Sequence, residues 1–342
     1  VAIGNGALGG VVTAAAKGAV AVGHTALTAL TSGIGNLAIG YQALDAAATS
    51  DYNTAVGYQA LSGVNGDGTQ GNTALGYTAG LDITSGTANT FVGYNAGKDF
   101  DTESGHTFIG DSAGSGAIAG ANNTVAIGAS AMVGALTQDG TIGIGYQALT
   151  ALTSGAKNVA IGYDALGDCT TGNNNVAIGY EALDVMAGTP DNANNGYDNI
   201  AIGAAAMGAV NASGDAGALS DGNIAIGTQA LFGGAFSAAE DLKGNIAIGY
   251  QAMHGTSTSE QIGTVAIGYQ ALIALTSGAK NTAIGYNSAL YNSTGSNNTY
   301  LGYEAGYGVS GQNNSNNIGI GNQSLKTIRT GTENVCIGND TM

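Results

Sequence analysis

Apolar and polar positions alternate in a short unit that repeats along the whole chain. In residues 158–166 the sequence NVAIGYDAL places an apolar three-residue segment between an asparagine and a glycine, and the copy that begins at Asn175 follows 17 residues later. A polar, glycine-containing return leads from each copy to the next. Because so short a unit cannot bury its own apolar side chains, we expect the copies to stack on one another.

The glycine that follows each apolar segment serves as a reference for counting the copies. There are 19 such copies, most often spaced by 17 residues. The pattern predicts an all-β fold, a parallel β-solenoid (a β-roll or β-helix) of about 19 coils, as a single repeat array over residues 1–342. Three wider spacings predict longer loops at 184–198, 208–222 and 232–244, and if the chain has a specific binding site it is expected in these loops. The reference glycines are Gly4, Gly23, Gly40, Gly57, Gly76, Gly93, Gly110, Gly128, Gly145, Gly162, Gly179, Gly203, Gly227, Gly249, Gly268, Gly285, Gly302, Gly321 and Gly338.

The three residues before each reference glycine are expected to form a strand whose side chains alternate between two faces. The residue directly before the glycine is Ile, Val or Leu in every copy, and we expect this position to form the core. The position before it is usually Ala, and a small uncharged residue there predicts a face that packs against other chains. The predicted core residues include Ile39, Val56, Leu75, Ile161, Ile178, Ile226 and Ile284. The predicted interface residues include Ala38, Ala55, Ala160 and Ala177.

An asparagine stands four residues before the reference glycine in 13 of the 18 copies that have this position. Asparagine tolerates the left-handed backbone of a tight corner, and identical amides stacked one coil apart can bond in a ladder. We therefore expect a structural corner at this position, as at Asn36, Asn53, Asn158, Asn175 and Asn281.

Tyrosine follows the reference glycine in 11 of the 19 copies and is expected to form a file of rings along the solenoid. Such a file could be a glycan-binding stripe, or it could serve only cross-coil packing with its hydroxyls in water. Four residues after the glycine, leucines such as Leu44, Leu61, Leu149 and Leu166 are expected to close the core from a second short strand. The candidate glycan stripe includes Tyr41, Tyr58, Tyr146, Tyr163 and Tyr180.

Composition narrows the function classes further. The net charge is −16 with 7 Lys plus Arg, which argues against binding to nucleic acid or to an anionic membrane surface. Glycine is abundant, with 60 residues, but shows no three-residue period, so collagen is excluded. Cys169 and Cys336 lie in copies too far apart for a disulfide bond.

Catalytic and metal-binding patterns are weak, and we expect neither an enzyme nor a resident cofactor. No His and Cys set has zinc spacing, and the order of residues suggests no Ser-His-Asp triad. Calcium is a minor alternative, since Asp99, Asp101 and Glu103 and the three long loops supply hard oxygen ligands. Only those loops could bring carboxylates together for a glycan lyase or hydrolase.

The units NLAIGYQAL (36–44) and NTAVGYQAL (53–61) resemble the repeat shaft of tail-fibre proteins and the head repeat of trimeric autotransporter adhesins. The resemblance covers all copies and implies a parallel homotrimer located extracellularly, on a virion tail fibre or a cell surface. The chain begins and ends inside a repeat, so we expect a piece of a longer fibre protein.

The predicted function is a structural fibre shaft that holds a distal receptor-binding tip away from a virion or cell. Its partners would be copies of itself and, through the tip, a host surface glycan or receptor. Two alternatives remain open: a carbohydrate-binding adhesin surface that uses the tyrosine file or the long loops, and a self-assembling extracellular filament or surface-layer protein.

Overall fold

The computed structural model describes residues 1–13, 16–116, 120–134, 137, 139–184, 196–208, 211–212, 220–233, 235–236, 241–255, 261–310 and 313–341. The chain divides into two compact units, Val1–Asn158 and Val159–Met342. Each unit is a parallel β-solenoid, and the described residues contain no helix.

The first unit contains eleven short strands, nine of which stack into its main sheet. They are β1 (Ala2–Ile3), β2 (Val20–Val22), β3 (Leu37–Ile39), β4 (Ser50–Asp51), β5 (Thr54–Val56), β6 (Gly68–Thr69), β7 (Thr73–Leu75), β8 (Thr90–Val92), β9 (Thr107–Ile109), β10 (Val125–Ile127) and β11 (Ile142–Ile144). The pair β4 and β6 lies in the returns and forms a small separate sheet.

The second unit contains fifteen strands among its described residues, ten of them in its main sheet. They are β12 (Val159–Ile161), β13 (Val176–Ile178), β14 (Ile200–Ile202), β15 (Asn211–Ala212), β16 (Ser220–Asp221), β17 (Ile224–Ile226), β18 (Ala235–Phe236), β19 (Leu242–Lys243), β20 (Ile246–Ile248), β21 (Gln261–Ile262), β22 (Val265–Ile267), β23 (Thr282–Ile284), β24 (Thr299–Leu301), β25 (Ile318–Ile320) and β26 (Val335–Ile337). Two small sheets in the returns join β15 with β18, and β16, β19 and β21 with one another.

Successive coils pair in strict register within each unit. In the first unit Ala38 pairs with Ala55, and in the second Ala160 pairs with Ala177. Every equivalent repeat position therefore forms a column, and the side chains in a column repeat at the strand spacing of about 4.8 Å. This registration turns a repeated residue type into a continuous physical feature of the surface or the core.

After each strand the chain passes through consecutive turns rather than the second short strand that the sequence predicts. In the coil of Gly57, the carbonyl of Gly57 accepts the N–H of Ala60, and that of Gln59 accepts the N–H of Ser62. Gln59 and Leu61 both adopt left-handed backbone, with φ of 52° and 51°. Coil-to-coil hydrogen bonds stabilise this conformation, since Gln59 N–H donates to the Tyr41 carbonyl at 2.8 Å.

The structure reverses the predicted assignment of the strand faces. The alanines predicted as an interface between chains, Ala38, Ala55, Ala160 and Ala177, are fully buried inside the solenoid. The aliphatic residues predicted as core point outward: Ile39, Leu75 and Ile161 are 38%, 50% and 36% exposed, and the others are half-buried. The half-buried members of that predicted core are Val56, Ile178, Ile226 and Ile284.

The reason for the reversal is the narrow interior of each coil. The leucines that follow the reference glycine, such as Leu44, Leu61, Leu149 and Leu166, are fully buried as predicted and reach across to the strand. A second inward position, seven residues after the glycine, is occupied by Leu30, Ile83, Phe100, Leu152 and Leu275. Little room remains opposite these side chains, so the inward strand position admits a methyl group and excludes a branched aliphatic in most coils.

Most of the predicted long loops at 184–198, 208–222 and 232–244 lies outside the described residues. At their described ends, β16 and β19 pair in parallel, with Ser220 opposite Leu242.

Candidate functional surface

Each unit carries an exposed column of branched aliphatic side chains along its main sheet. In the first unit Ile39, Leu75 and Ile109 are 38%, 50% and 39% exposed. In the second unit Ile161 and Leu301 are 36% and 41% exposed. We call this the aliphatic face: it comprises the residues directly before the reference glycines of a unit. Repeated large apolar side chains in solvent are unusual for a monomeric soluble protein and indicate an interaction surface.

Tyrosines at the next outward position form files of stacked rings, as the sequence predicts. In the first unit Tyr41, Tyr58, Tyr77 and Tyr94 follow His24, with ring centroids 5.0–5.2 Å apart and ring planes within 13° of parallel. Within such a file each ring covers its neighbours' faces. The tyrosines nevertheless stay 41–52% exposed, so solvent meets mainly ring edges and hydroxyls.

The second unit carries two shorter files. Tyr163 stacks on Tyr180 at 5.2 Å, and a second file runs from Tyr250 through Tyr269 and Tyr286 to Tyr303 at 5.0–5.4 Å. The remaining predicted stripe residue, Tyr146, belongs to the first unit and is 46% exposed. A sugar ring packs against an exposed face of an aromatic ring, and the rings inside a stacked file have no exposed face. The structure therefore does not support a glycan-binding stripe along the whole length of the tyrosines.

The corner asparagines form a buried ladder of hydrogen bonds in each unit. Asn36 Nδ2 donates to the carbonyl of Ser50 at 2.6 Å, and Asn36 Oδ1 accepts the N–H of Asn53 at 2.9 Å. In the second unit Asn175 and Asn281 make equivalent bonds to the carbonyls of Gly196 and Gly295. Asn53 and Asn158 are likewise fully buried.

The left-handed corner residue is the one before the asparagine, which differs from the prediction. Gly35, Tyr52, Lys157, Asn174 and Lys280 have φ between 57° and 69°. The asparagine itself lies inside the corner because its amide replaces hydrogen bonds that the bending backbone cannot make.

A cluster of aromatic side chains interrupts the alanine core of the first unit. Phe91 and Phe108 replace alanine at the inward strand position, and Phe100 lies 4.8 Å from Phe108 between ring centroids. His106 occupies the corner position that is an asparagine in most coils, and its Nδ1 lies 2.6 Å from Thr124 Oγ1. Burial lowers the pKa of His106 to about 4, so the ring is neutral at pH 7.

Glycines in the turns make room for these large residues. A Cβ atom on Gly97 or Gly114 would overlap the ring of Phe91 or Phe108, and one on Gly306 would overlap Tyr300. Four residues after the reference glycine, a glycine stands in every coil whose strand carries Phe or Tyr, whereas most coils whose strand carries alanine have Leu or Met there. This exchange of volume was present in the sequence as a correlation between two repeat positions, and our prediction missed it.

The carboxylates considered for calcium have other partners. Glu103 is buried, and its Oε2 accepts the N–H groups of Asp101 and Thr102, while its Oε1 accepts that of Gly120 at 3.0 Å. Burial raises the pKa of Glu103, but these backbone donors outweigh it and the pKa is lowered. Among the described residues, no group of three His, Cys, Asp or Glu side chains is placed to hold a metal ion.

A second group of carboxylates lies on the turns of the first two coils of the second unit. Burial, followed by the charges of Asp164, Asp168 and Glu181, raises the pKa of Asp184 to about 6. Burial and two of the same neighbours also raise the pKa of Asp164. These side chains repel one another at neutral pH.

The two cysteines are free thiols, in agreement with the sequence analysis. Cys169 fills the inward position of its coil, and burial raises its pKa to about 11, which makes it an inert core residue. In the part of the chain that the structure describes, no helix has the length and hydropathy needed to cross a membrane.

Comparisons with known proteins found no matching family model, no matching curated protein and no matching solved structure. The surface chemistry of the two solenoids is therefore the basis for the function proposed below.

Proposed function

We propose that this chain is a structural repeat protein whose aliphatic face joins parallel copies of itself into a fibre shaft. The assembly would be a homotrimer, in line with the resemblance of its repeats to tail-fibre shafts and adhesin heads. It would lie outside the cell, on a virion tail fibre or a cell surface, and would hold a receptor-binding tip at a distance.

The observation that carries the proposal is the outward direction of the branched aliphatic residues. Ile39 and Leu75 are 38% and 50% exposed, whereas the alanines beside them are fully buried. Burying apolar surface contributes about 25 cal/mol per Å², so a column of such residues gains substantially when another copy covers it. Because the aliphatic residues recur at a fixed spacing along the sheet, the aliphatic faces of two parallel chains can pack against each other in register.

Hydrogen bonding makes each unit suitable for a mechanical role. The strand, the turns and the corner asparagines all bond from coil to coil, as Leu37 N–H to the Asn53 carbonyl at 2.8 Å shows. Force applied along the stack is thus shared by many parallel bonds in every coil. The corner ladder adds buried side-chain bonds such as that between Asn199 Nδ2 and Asn175 Oδ1 at 3.1 Å.

Sedimentation velocity of the purified chain tests the proposal. We expect a species of three times the chain mass. Substituting Ile39→Lys together with Leu75→Lys should shift the equilibrium toward single chains without loss of β-structure in circular dichroism. The matched control is Ile34→Lys, because Ile34 is 37% exposed but lies in a return, away from the aliphatic face.

A wild-type chain that sediments as a monomer would contradict the proposal, as would a lysine double variant that associates like the wild type. Open-ended polymers that dissociate on the same substitutions would favour the filament or surface-layer alternative instead of a closed trimer.

A further inference from the structure

The tyrosine files of the second unit are interrupted at one place by two coils that carry no ring at the position after the reference glycine. Tyr180 ends one file and Tyr250 begins the next, and the intervening coils carry Ala204 and Thr228 at the equivalent position. All four residues are in register, because Ile178 pairs with Ile202, Ile202 with Ile226, and Ile226 with Ile248. We call this gap the tyrosine slot.

The width of the tyrosine slot follows from the stacking. Tyr180 and Tyr250 are three coils apart, which places their rings about 14 Å from each other at the ordinary strand spacing. Coil-to-coil bonds keep this part of the stack regular: Ala205 N–H donates to the Tyr180 carbonyl at 2.8 Å, and Gln251 N–H to the Thr228 carbonyl at 3.0 Å. The slot therefore lacks two rings of a regular file and has room for two rings of similar thickness.

Tyr180, which borders the slot, is more exposed to solvent than a tyrosine inside a file. Tyr180 is 54% exposed, against 41% for Tyr58, which has a ring on both sides. Among the described side chains, Tyr180 stacks only on Tyr163, which leaves its other face toward Ala204. Open aromatic faces are the surfaces on which the apolar face of a sugar ring packs.

Polar groups border the same slot. The carboxylate of Glu181 accepts the hydroxyl of Tyr180, and this bond is the main reason why the pKa of Tyr180 is raised. Thr228 is exposed, and Gln229 bonds the amide of Gln251 at 3.0 Å. Hydroxyl, amide and carboxylate groups beside an aromatic face can hold the hydroxyls of a sugar.

We propose that the tyrosine slot binds a neutral glycan, with a hexose ring stacked on Tyr180 or Tyr250. Neutral sugars are favoured because Glu181 borders the slot, no Lys or Arg occurs in the segments 180–184, 204–208 and 228–233, and the chain carries a net charge of −16. An anionic sugar would be repelled there. This binding does not depend on the association of chains proposed above.

The first unit contains a gap of the same length. Asp111 and Ala129 occupy the ring position in the two coils between Tyr94 and Tyr146. Register is again strict, because Thr107 pairs with Val125 and Val125 with Ile142. Asp111 accepts a hydrogen bond from the hydroxyl of Ser112 at 2.7 Å, so this slot also combines an acidic group with aromatic walls.

The main variants fill the slots with tyrosine side chains and leave the bordering tyrosines in place. Ala204→Tyr with Thr228→Tyr would continue the file through the second unit, and Asp111→Tyr with Ala129→Tyr would do the same in the first. Tyrosine stands at this position in 11 copies, so the fold should tolerate it. The probes are maltose, lactose and cellobiose, observed by saturation-transfer NMR on the full chain, with sialylated lactose as the anionic comparison.

We expect at least one neutral disaccharide to bind the wild type and to bind more strongly than its sialylated counterpart. Filling the second slot should weaken the signal, and filling both should reduce affinity at least tenfold. Tyr180→Ala with Tyr250→Ala, which removes the walls, provides a second route to the same loss. The matched control Tyr269→Phe keeps a ring inside a closed file and should bind as the wild type does.

The proposal is overturned if none of the three disaccharides binds, or if the chain with both slots filled binds as well as the wild type. Either result would leave the proposed shaft function intact, because that function is read from sedimentation and not from sugar binding.

Discussion

The carbonyl oxygen of Gly76 occupies the place that a Cβ atom of Gly57 would take. The same close approach recurs between successive reference glycines of each unit, as from Gly40 to Gly57 and from Gly268 to Gly285. The repeat therefore requires glycine for two reasons: the backbone φ is 146° at Gly57, and the next coil leaves no space for a side chain.

Gly57→Ala should consequently destabilise the first unit by about 3 kcal/mol or more, from backbone strain and overlap together. Urea denaturation followed by circular dichroism measures this change. The control is Gly71→Asn, since Gly71 has φ of 63° and no atom within 4 Å of the added Cβ position. Equal stability losses for the two variants would show that the close approach between coils is not what requires glycine.

Replacing one asparagine of the buried corner ladder should lower the free energy of unfolding more than breaking a half-buried hydrogen bond between two glutamines. Asn199 accepts the N–H of Asn223 at 3.0 Å and donates to the Ser220 carbonyl at 2.6 Å, all within the buried corner. Asn199→Ala leaves buried backbone groups without partners and should cost about 2–4 kcal/mol. Gln270→Ala breaks the half-buried bond to Gln251 and should cost less than about 1 kcal/mol in the same denaturation experiment. A smaller loss for Asn199→Ala than for Gln270→Ala would contradict the role of the ladder.

The volume exchange between Phe108 and Gly114 predicts a non-additive pair of substitutions. Phe108→Ala alone should cost about 3–5 kcal/mol because it leaves a cavity, and Gly114→Leu alone should be destabilising because the new side chain overlaps the ring. Together they recreate the Ala160 and Leu166 arrangement of another coil, so the double variant should recover at least half of the summed loss. A double-mutant cycle measures the coupling, and simple additivity would disprove the exchange.

The raised pKa of Asp184 predicts a stability that increases as the solution becomes more acidic. Its folded pKa of about 6 lies above the ordinary value of 3.8, so the folded chain binds this proton more tightly than the unfolded chain does. Stability from this group should rise as pH falls from above 6 to below 4. Asp184→Asn should therefore raise the melting temperature at pH 7.5 and should give no advantage below pH 4.

Glu103 is the matching case in which the pKa is lowered, so its effect on stability has the opposite pH dependence. Its pKa lies below the ordinary value of 4.5, so its contribution is present above pH 4.5 and is lost as pH falls further. Glu103→Gln should lower the melting temperature at pH 7.5 and converge on the wild type in stronger acid. Parallel pH profiles for the Asp184 and Glu103 variants would contradict both assignments.

The periodic spacing of the glycines and the apolar strands determines the fold class from the sequence alone. A unit of 17 residues with one strand and a polar return can bury apolar surface only by stacking, so a parallel solenoid with Asn36 and Asn53 in a column follows from the chain itself. The tyrosine files follow for the same reason, because strict register converts any repeated residue into a column.

The direction of each column was decided only by the tertiary structure. Alternation along a strand separates Ala38 from Ile39 onto opposite faces but does not say which face is inside. The volume enclosed by one coil makes that choice: where leucines from the turns fill it, the strand places a small residue such as Ala38 inward and its isoleucines outward. The exposed aliphatic face, on which the proposed shaft function depends, arises from that packing, whereas the gaps between the tyrosine files follow from the sequence and the register of the coils.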